Sequence, residues 1–231
     1  MQWDGLQAPQ WNGAISNEAA KRQIASQLAA RAADGQVIGI GSGSTSFLAL
    51  LALSERVRKE GLNIRCVPTS LEIESYCTAL ELPVTTLVDA RPDWCFDGAD
   101  EVDPQKNLIK GRGGAFVREQ LVFAAAPQRI ILVDESKFVA RLGANFAVPL
   151  AVVPEAANLV RQRVRDATGA EPQVRPARGK DGGIIDEQGS LVMDLPIDGS
   201  IPPSELEAVL LTTPGISATG LFVGYDFEII K

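Results

Sequence analysis

The chain reads as an α/β protein, a mostly parallel sheet covered by helices on both faces (Rossmann-like), with a smaller α+β (ferredoxin-like) second domain. Three observations predict it. Short apolar runs alternate with helical segments up to Val133, the rhythm of a parallel sheet. Glycine-rich turns separate several of the runs from the helices that follow. Beyond Pro149 the order changes to helix, strand, polar loop, strand pair, helix and strand, as in a split βαβ unit.

The elements follow in order. After a polar start containing Trp3 and Trp11, Ser16 or Asn17 can cap a helix whose apolar positions Ala20, Ile24 and Leu28 recur every four residues until Asp34-Gly35 stops it. Val37 to Ile40 is a short apolar strand, and Gly41-Ser42-Gly43-Ser44-Thr45 leads from it into a helix beginning near Ser46. Turn residues Gly61 and Asn63 precede a strand at Ile64 to Val67. A helix is expected near Leu71 to Leu80, strands near Val84 to Val88 and Trp94 to Phe96, a helix near Ala115 to Ala126, and a strand at Arg129 to Val133.

In the second part a helix is expected over Glu155 to Ala167 and a strand over Gln173 to Arg175. The polar loop Arg178 to Gly183 leads to a strand pair around Gln188-Gly189. The capping box Ser204-Glu205-Leu206-Glu207 then opens a helix, and Ser217 to Val223 forms a strand. The last strand, Phe227 to Ile230, returns to the first domain. The expected division is 1–148 with 224–231 as the larger α/β domain, which carries the chemistry, and 149–223 as the small α+β domain.

Composition narrows that chemistry. The 231 residues are 45% hydrophobic and 22% charged, enough to bury a sizeable core. There is no histidine, which excludes a Ser-His-Asp triad, a Cys-His dyad, a His-ligated zinc and a histidine base. A net charge of −7 is the wrong sign for a phosphate-backbone binder, so no nucleic acid is expected as a partner. Cys66, Cys77 and Cys95 form no CxxC and are read as core residues of a reducing compartment. The first thirty residues show no basic segment followed by an apolar one. The longest clean apolar run, Phe47 to Leu53, falls far short of the roughly 20 residues that span a bilayer. A cytoplasmic protein with no membrane partner is the expectation.

Four stretches can carry the chemistry. Gly39 to Thr45 joins a buried strand to a helix, where backbone N–H groups and the helix dipole favour an anion, and Ser42, Ser44 and Thr45 add hydroxyls around Gly43. Either register of a dinucleotide fingerprint puts serine, Ser44 or Ser46, at the third glycine, and the Walker lysine is missing, so a small phosphate ester suits the loop better than a nucleotide. A plain tight turn is the other reading. Asp97-Gly98-Ala99-Asp100-Glu101-Val102-Asp103 follows a strand at the end where open α/β sheets bind ligands. It lacks the glycine and terminal glutamate of a calcium loop, and a solvated acidic turn remains its alternative.

Lys110-Gly111-Arg112-Gly113-Gly114 is a second, cationic glycine turn, opening the helix that bears Arg118 and Glu119. Glu119 shares a helix face with Phe116 and Phe123, which sets its carboxylate against apolar surface, raises its pKa and suits it to act as a general base; an ordinary exposed glutamate is the alternative. Asp134-Glu135-Ser136-Lys137 is another strand-end loop, with Lys137 available to a phosphate or an enolate oxygen; taken singly it reads as a capping sequence. Lys21, on the first helix, has the default reading of a solvated lysine. Two phosphate-like loops, an acidic loop, lysines and one carboxylate base suit proton transfer on a phosphorylated carbonyl compound. No cofactor and no metal are called for.

Read together and in order, Gly39 to Thr45, Pro68-Thr69-Ser70, Asp97 to Asp103, Lys110 to Ala115 with Arg118-Glu119, and Asp134 to Lys137 resemble ribose-5-phosphate isomerase, type A. The resemblance covers about residues 16 to 231, including Pro214-Gly215-Ile216 and Gly220-Leu221-Phe222. It implies interconversion of D-ribose 5-phosphate and D-ribulose 5-phosphate through an enediolate, without a metal, in the non-oxidative pentose phosphate pathway. It further implies that Glu119 moves the proton between C2 and C1, that Ser42 to Thr45 hold the phosphate, and that Asp97 and Asp100, with Gly98 and Ala99 between them, contact the sugar and assist ring opening. Lys110 then lies near the reacting oxygens, Gly111, Arg112 and Gly113 complete its turn, Lys137 and Lys21 contact substrate, and the assembly is a homodimer or a dimer of dimers. Arg112 stands where the family more often has glycine, and Ser42 where threonine is frequent. A sugar-phosphate sensor on the same fold would normally add a DNA-binding segment, and an amino-sugar phosphate deaminase tends to use histidine; neither feature is present.

Overall fold

The computed structural model describes residues 10, 11 and 13–231, so Trp3 lies outside the described residues. In chain order the elements are α1 (Glu18–Ala29), β1 (Val37–Ile40), α2 (Gly43–Glu60), β2 (Arg65–Pro68), α3 (Leu71–Ala79), β3 (Trp94–Asp97), β4 (Glu101–Val102), β5 (Leu108–Ile109), α4 (Phe116–Ala125) and β6 (Gln128–Leu132). There follow β7 (Val148–Val152), α5 (Ala157–Thr168), β8 (Gln173–Val174), β9 (Leu191–Leu195), α6 (Pro203–Leu211), β10 (Ile216–Thr219), β11 (Leu221–Phe222) and β12 (Glu228–Ile230).

Packing divides the chain into two units. The first takes residues up to Gly98, Arg118–Ser136 and Asp226–Lys231; the second takes Ala99–Val117 and Lys137–Tyr225. In the first unit β12, β6, β3, β1 and β2 form one sheet in that order, with every pairing parallel. Strands β1 and β3 are buried along their whole length and, up to Asp97 at the end of β3, read as apolar runs, as strands covered on both faces do. The core there gathers Ile24 and Leu28 of α1, Phe47 and Leu50 of α2, and Ile38, Ile40 and Phe96 of the sheet. Trp11 adds its ring 5.5 Å from that of Phe47. The three cysteines are buried and none is in a disulfide.

The second unit holds an antiparallel sheet ordered β10-β7-β9-β8 and a small one ordered β11-β5-β4. Val160 and Val164 of α5 and Leu206 and Leu210 of α6 pack with Leu150 of β7 and Met193 of β9. No helix among the described residues is long and apolar enough to cross a membrane.

Several elements differ from expectation. Val84 to Val88 is no strand: Val84 makes a single bridge to Cys66, the chain then turns with Thr86 Oγ1 donating to Asp89 at 2.9 Å, and Val88 is 94% exposed. Helix α2 starts at Gly43 rather than near Ser46, which moves Ser44 and Thr45 into its first turn. Ser204 lies inside α6, which Pro202 and Pro203 begin; a proline ring suits the first helical position and displaces the expected capping box. The run Ser217 to Val223 is two strands in different sheets, parted at Gly220, where a Cβ would stand 2.3 Å from the Lys110 carbonyl oxygen. Of the pair around Gln188-Gly189 only β9 is a strand; the other side is one bridge, Ile185 to Leu191, with the Asp186 carboxylate accepting the N–H groups of Gln188 and Ser190 between them.

Candidate active site

The anion loop is built by what its glycines leave out. Gly41 follows β1 where a Cβ would stand 2.4 Å from the Phe96 carbonyl oxygen and 2.5 Å from the Asp97 carboxyl carbon. Asp97, at the end of β3 and 3% exposed, therefore reaches the loop: it accepts the N–H of Ser42 at 3.1 Å and that of Gly98 at 2.7 Å. Gly43 carries φ +87°, a value that suits glycine, and the chain enters α2 with no acidic residue in its first turn. The first N–H groups of a helix have no partner within it and carry its positive dipole end, so Ser44 and Thr45 stand in an anion-binding position.

The Ser42 hydroxyl is used within the protein. It lies 2.8 Å from Thr69 Oγ1 and donates to Ser70 Oγ at 3.2 Å; Ser70 in turn accepts the Ile73 N–H and so caps α3. Thr69 and Ser70, both buried at the end of β2, were not among the expected site residues. Their signal in the sequence is Ser70 standing one residue before an apolar helix, directly after a strand.

Lys21 is no solvated lysine. It is 5% exposed, and Nζ donates to Ser44 Oγ at 3.2 Å and to Ser16 Oγ at 3.3 Å. Its ammonium also acts on Asp134. Burial works against the charge of that carboxylate, but the Ser136 hydroxyl and N–H, the Asn17 side chain and Lys21 outweigh it and hold the pKa below the ordinary aspartate value. The same Ser44 that opens α2 is thus tethered to α1.

Nor is Asp97 to Asp103 a solvated acidic turn. Besides Asp97, Asp100 Oδ2 accepts the Arg112 N–H at 3.0 Å, and Asp103, 6% exposed, accepts the N–H groups of Gln105 and Asn107. Glu101 is fully buried and accepts three backbone N–H groups, those of Gly143 (2.7 Å), Phe146 (3.0 Å) and Asn145. Each carboxylate is thus occupied by backbone donors. Among the described residues no group of three or more His, Cys, Asp or Glu is disposed to hold a metal ion.

In the glycine turn, Lys110 is 4% exposed, its N–H bonds the Gly220 carbonyl at 2.9 Å, and its Nζ lies 5.5 Å from the Phe222 ring centre. Gly111 has φ +99°, and the Phe116 side chain fills the space a Cβ would need. Arg112 and Gly113 are exposed. Arg112 enters the turn through its backbone. Lys137 ends a short 3-10 turn, with Nζ 5.7 Å from the ring of Phe146, a residue Glu101 holds in place.

Glu119 sits on the first turn of α4 and is 6% exposed, in a buried row with Phe116, Val122 and Phe123. Its exposed-glutamate reading is therefore excluded. The neighbouring Arg118 points elsewhere, donating to the Pro68 carbonyl at 3.3 Å and lying 3.6 Å from Glu74.

The family described as ribose 5-phosphate isomerase A (phosphoriboisomerase A) matches residues 65–230, more than half of the chain. The chain belongs to this family. A relative from a Synechococcus species, named ribose-5-phosphate isomerase A, is 44% identical over 206 residues, covering 88% of each chain. The solved structure of ribose 5-phosphate isomerase A from Methanocaldococcus jannaschii superimposes with a TM-score of 0.88 at 35% identity, covering 93% of this chain and 95% of that one. Another, of a D-ribose-5-phosphate isomerase in complex with phospho-erythronic acid, gives 0.86 at 31% identity, covering 93% and 96%. As a member of the ribose 5-phosphate isomerase A family the chain is an enzyme, an isomerase acting on a sugar phosphate, and its α/β architecture is the family's.

Proposed function

We propose that the protein interconverts D-ribose 5-phosphate and D-ribulose 5-phosphate by proton transfer through an enediolate, with Glu119 as the base and no metal. The observation that carries this is the burial of Glu119 on the first turn of α4 in a chain whose relatives bear that enzyme's name. In the open-chain aldose the Glu119 carboxylate takes the proton from C2. The C2–H electrons form the C1–C2 double bond and the C1 carbonyl oxygen takes the negative charge. Transfer of the C2 hydroxyl proton to the C1 oxygen, with re-formation of the carbonyl at C2 and return of the carbon-bound proton from Glu119 to C1, gives the ketose and the free carboxylate. Lys110 stabilises the oxygen charge, and Asp97 and Asp100 hold the sugar hydroxyls and assist ring opening.

The N–H groups and hydroxyls of Ser44 and Thr45, with Gly43 and the backbone of Ser42, hold the phosphate, and Lys21 and Lys137 add cations. All of these residues fall within 1–148, which we take with 224–231 as the catalytic domain, and 149–223 as the smaller one. We place the enzyme in the cytoplasm, in the non-oxidative pentose phosphate pathway, as a homodimer or a dimer of dimers. The test is ribulose 5-phosphate formation from ribose 5-phosphate in chelator, with Glu119→Gln as the paired control. Rapid turnover by the unaltered protein and a loss of about 10²- to 10⁴-fold in the variant support the reading. Full activity in Glu119→Gln removes Glu119 from the mechanism, and activity that returns only with a divalent ion overturns the metal-free step.

A further inference from the structure

We propose that Arg175 is a positioning residue for the glycine turn that carries Lys110, holding one peptide unit of that turn in a fixed orientation together with Asp100. This rests on the role given above to Lys110 and Asp100. The peptide between Gly111 and Arg112 is held at both ends: its N–H donates to Asp100 Oδ2 at 3.0 Å, and its carbonyl oxygen accepts from Arg175 Nη1 at 2.8 Å. The same nitrogen reaches the Arg112 carbonyl oxygen at 3.1 Å. A turn with φ +99° at Gly111 has a glycine's freedom to rotate that peptide, and rotation would turn its N–H away from the Asp100 carboxylate. A carboxylate on one end and a guanidinium on the other oppose it.

Arg175 is itself fixed. Its N–H donates to the Val192 carbonyl and its own carbonyl accepts the Ile184 N–H, each at 2.9 Å. Nε donates to Asp194 Oδ2 at 2.8 Å while Nη2 pairs with Oδ1, a two-point contact that sets the guanidinium plane and leaves Nη1 for the turn. The Arg175 side chain is 14% exposed, so the contact is shielded from water far more than a surface ion pair is. Lysine cannot serve both Asp194 and the two carbonyls, because it lacks the planar fork. Asp100, the glycine turn, Arg175 and Asp194 all belong to the second unit, so the clamp joins stretches far apart in sequence within one packing unit.

The test compares the intact protein with Arg175→Met and Arg175→Lys by two readings: hydrogen exchange of the Arg112 amide, and kcat and KM for ribose 5-phosphate. The expected result for Arg175→Met is exchange faster by about tenfold or more at Arg112, the loss of one charge-assisted restraint. With it, kcat falls on the order of 10²-fold while KM stays within about twofold, as expected when reacting groups are misplaced and binding is not lost. Arg175→Lys follows in the same direction and does not restore kcat; should Arg175→Met fail to fold, it carries both readings. Unchanged exchange at Arg112 overturns the clamp. Faster exchange with unchanged kcat overturns the positioning role. If the intact protein does not isomerise ribose 5-phosphate, the proposed function fails, and the Arg112 amide still decides the clamp.

Discussion

The Asp97 carboxylate accepts the backbone N–H of Ser42 at 3.1 Å across a space that Gly41 leaves open. The contact joins the loop after β1 to the end of β3, neighbouring parallel strands, and holds the entrance of α2 in place. Gly41 is required by close approach alone and is not among the glycines with positive φ.

Gly41→Ala is accordingly expected to damage both stability and activity. Two of the atoms its methyl group meets within 2.5 Å are the Phe96 carbonyl oxygen and the Asp97 carboxyl carbon; the first is backbone and cannot swing aside. Forcing such a group into a packed site costs about 1–3 kcal/mol, and the loop must move away from Asp97 to accept it. Urea denaturation and KM for ribose 5-phosphate should both register the change. A variant with wild-type stability would show that the loop has slack.

Thr45→Val tests the loop in a different way. Valine keeps the shape of this buried residue and removes only the hydroxyl. A hydrogen bond to a charged group is worth about 1.5–3 kcal/mol, so KM should rise roughly 10- to 100-fold with kcat unchanged, the signature of a contact made equally in ground and transition states. If kcat alone fell, Thr45 would be acting at the reacting end of the sugar.

Glu101→Gln separates the structural carboxylates from the chemical ones. Fully buried Glu101 accepts the N–H groups of Gly143, Asn145 and Phe146, and all three of these partners are donors. Glutamine keeps the volume but turns an NH2 group toward those donors and leaves at least one N–H unsatisfied, at a cost of about 1–3 kcal/mol. The denaturation midpoint should drop. Unaltered stability would mean that the loop at 143–146 finds other acceptors.

This distinction was not legible in the sequence, although the sheet was. Strands β1 and β3 and the last three residues of β6 announce themselves as apolar runs because they are buried in a parallel sheet, and the loop after β1 stands out because glycines and hydroxyl side chains follow an apolar strand directly. By contrast β4, β5 and β11 are two residues long and carry no periodicity to read. Asp97, Asp100, Glu101 and Asp103 look alike in sequence; what separates them is which backbone N–H groups reach them, and for Glu101 those lie more than forty positions away. Lys21 looked solvated for the same reason, since Ser44 and Asp134, which face it, come from elsewhere in the chain. Glu119 was legible because its apolar neighbours lie within one helix turn on either side.

Asp134 gives the pH dependence its sign. Its folded pKa is held below the ordinary aspartate value of 3.8 by the Ser136 hydroxyl and N–H, Asn17 and Lys21, against the opposing effect of burial. A carboxyl with a depressed folded pKa contributes stability that is complete above its unfolded pKa and is lost as the pH falls through the folded one. Asp134→Asn should therefore melt at a lower temperature than the unaltered protein at pH 7, by a margin that stays constant down to about pH 5 and shrinks as the medium becomes more acidic than the ordinary aspartate value. Thermal unfolding followed from pH 7 to the acid limit measures that margin directly. A gap that persisted unchanged at the most acidic pH would mean that Asp134 stabilises by packing and neutral hydrogen bonding, and that its charge, with that of Lys21, adds nothing to the fold.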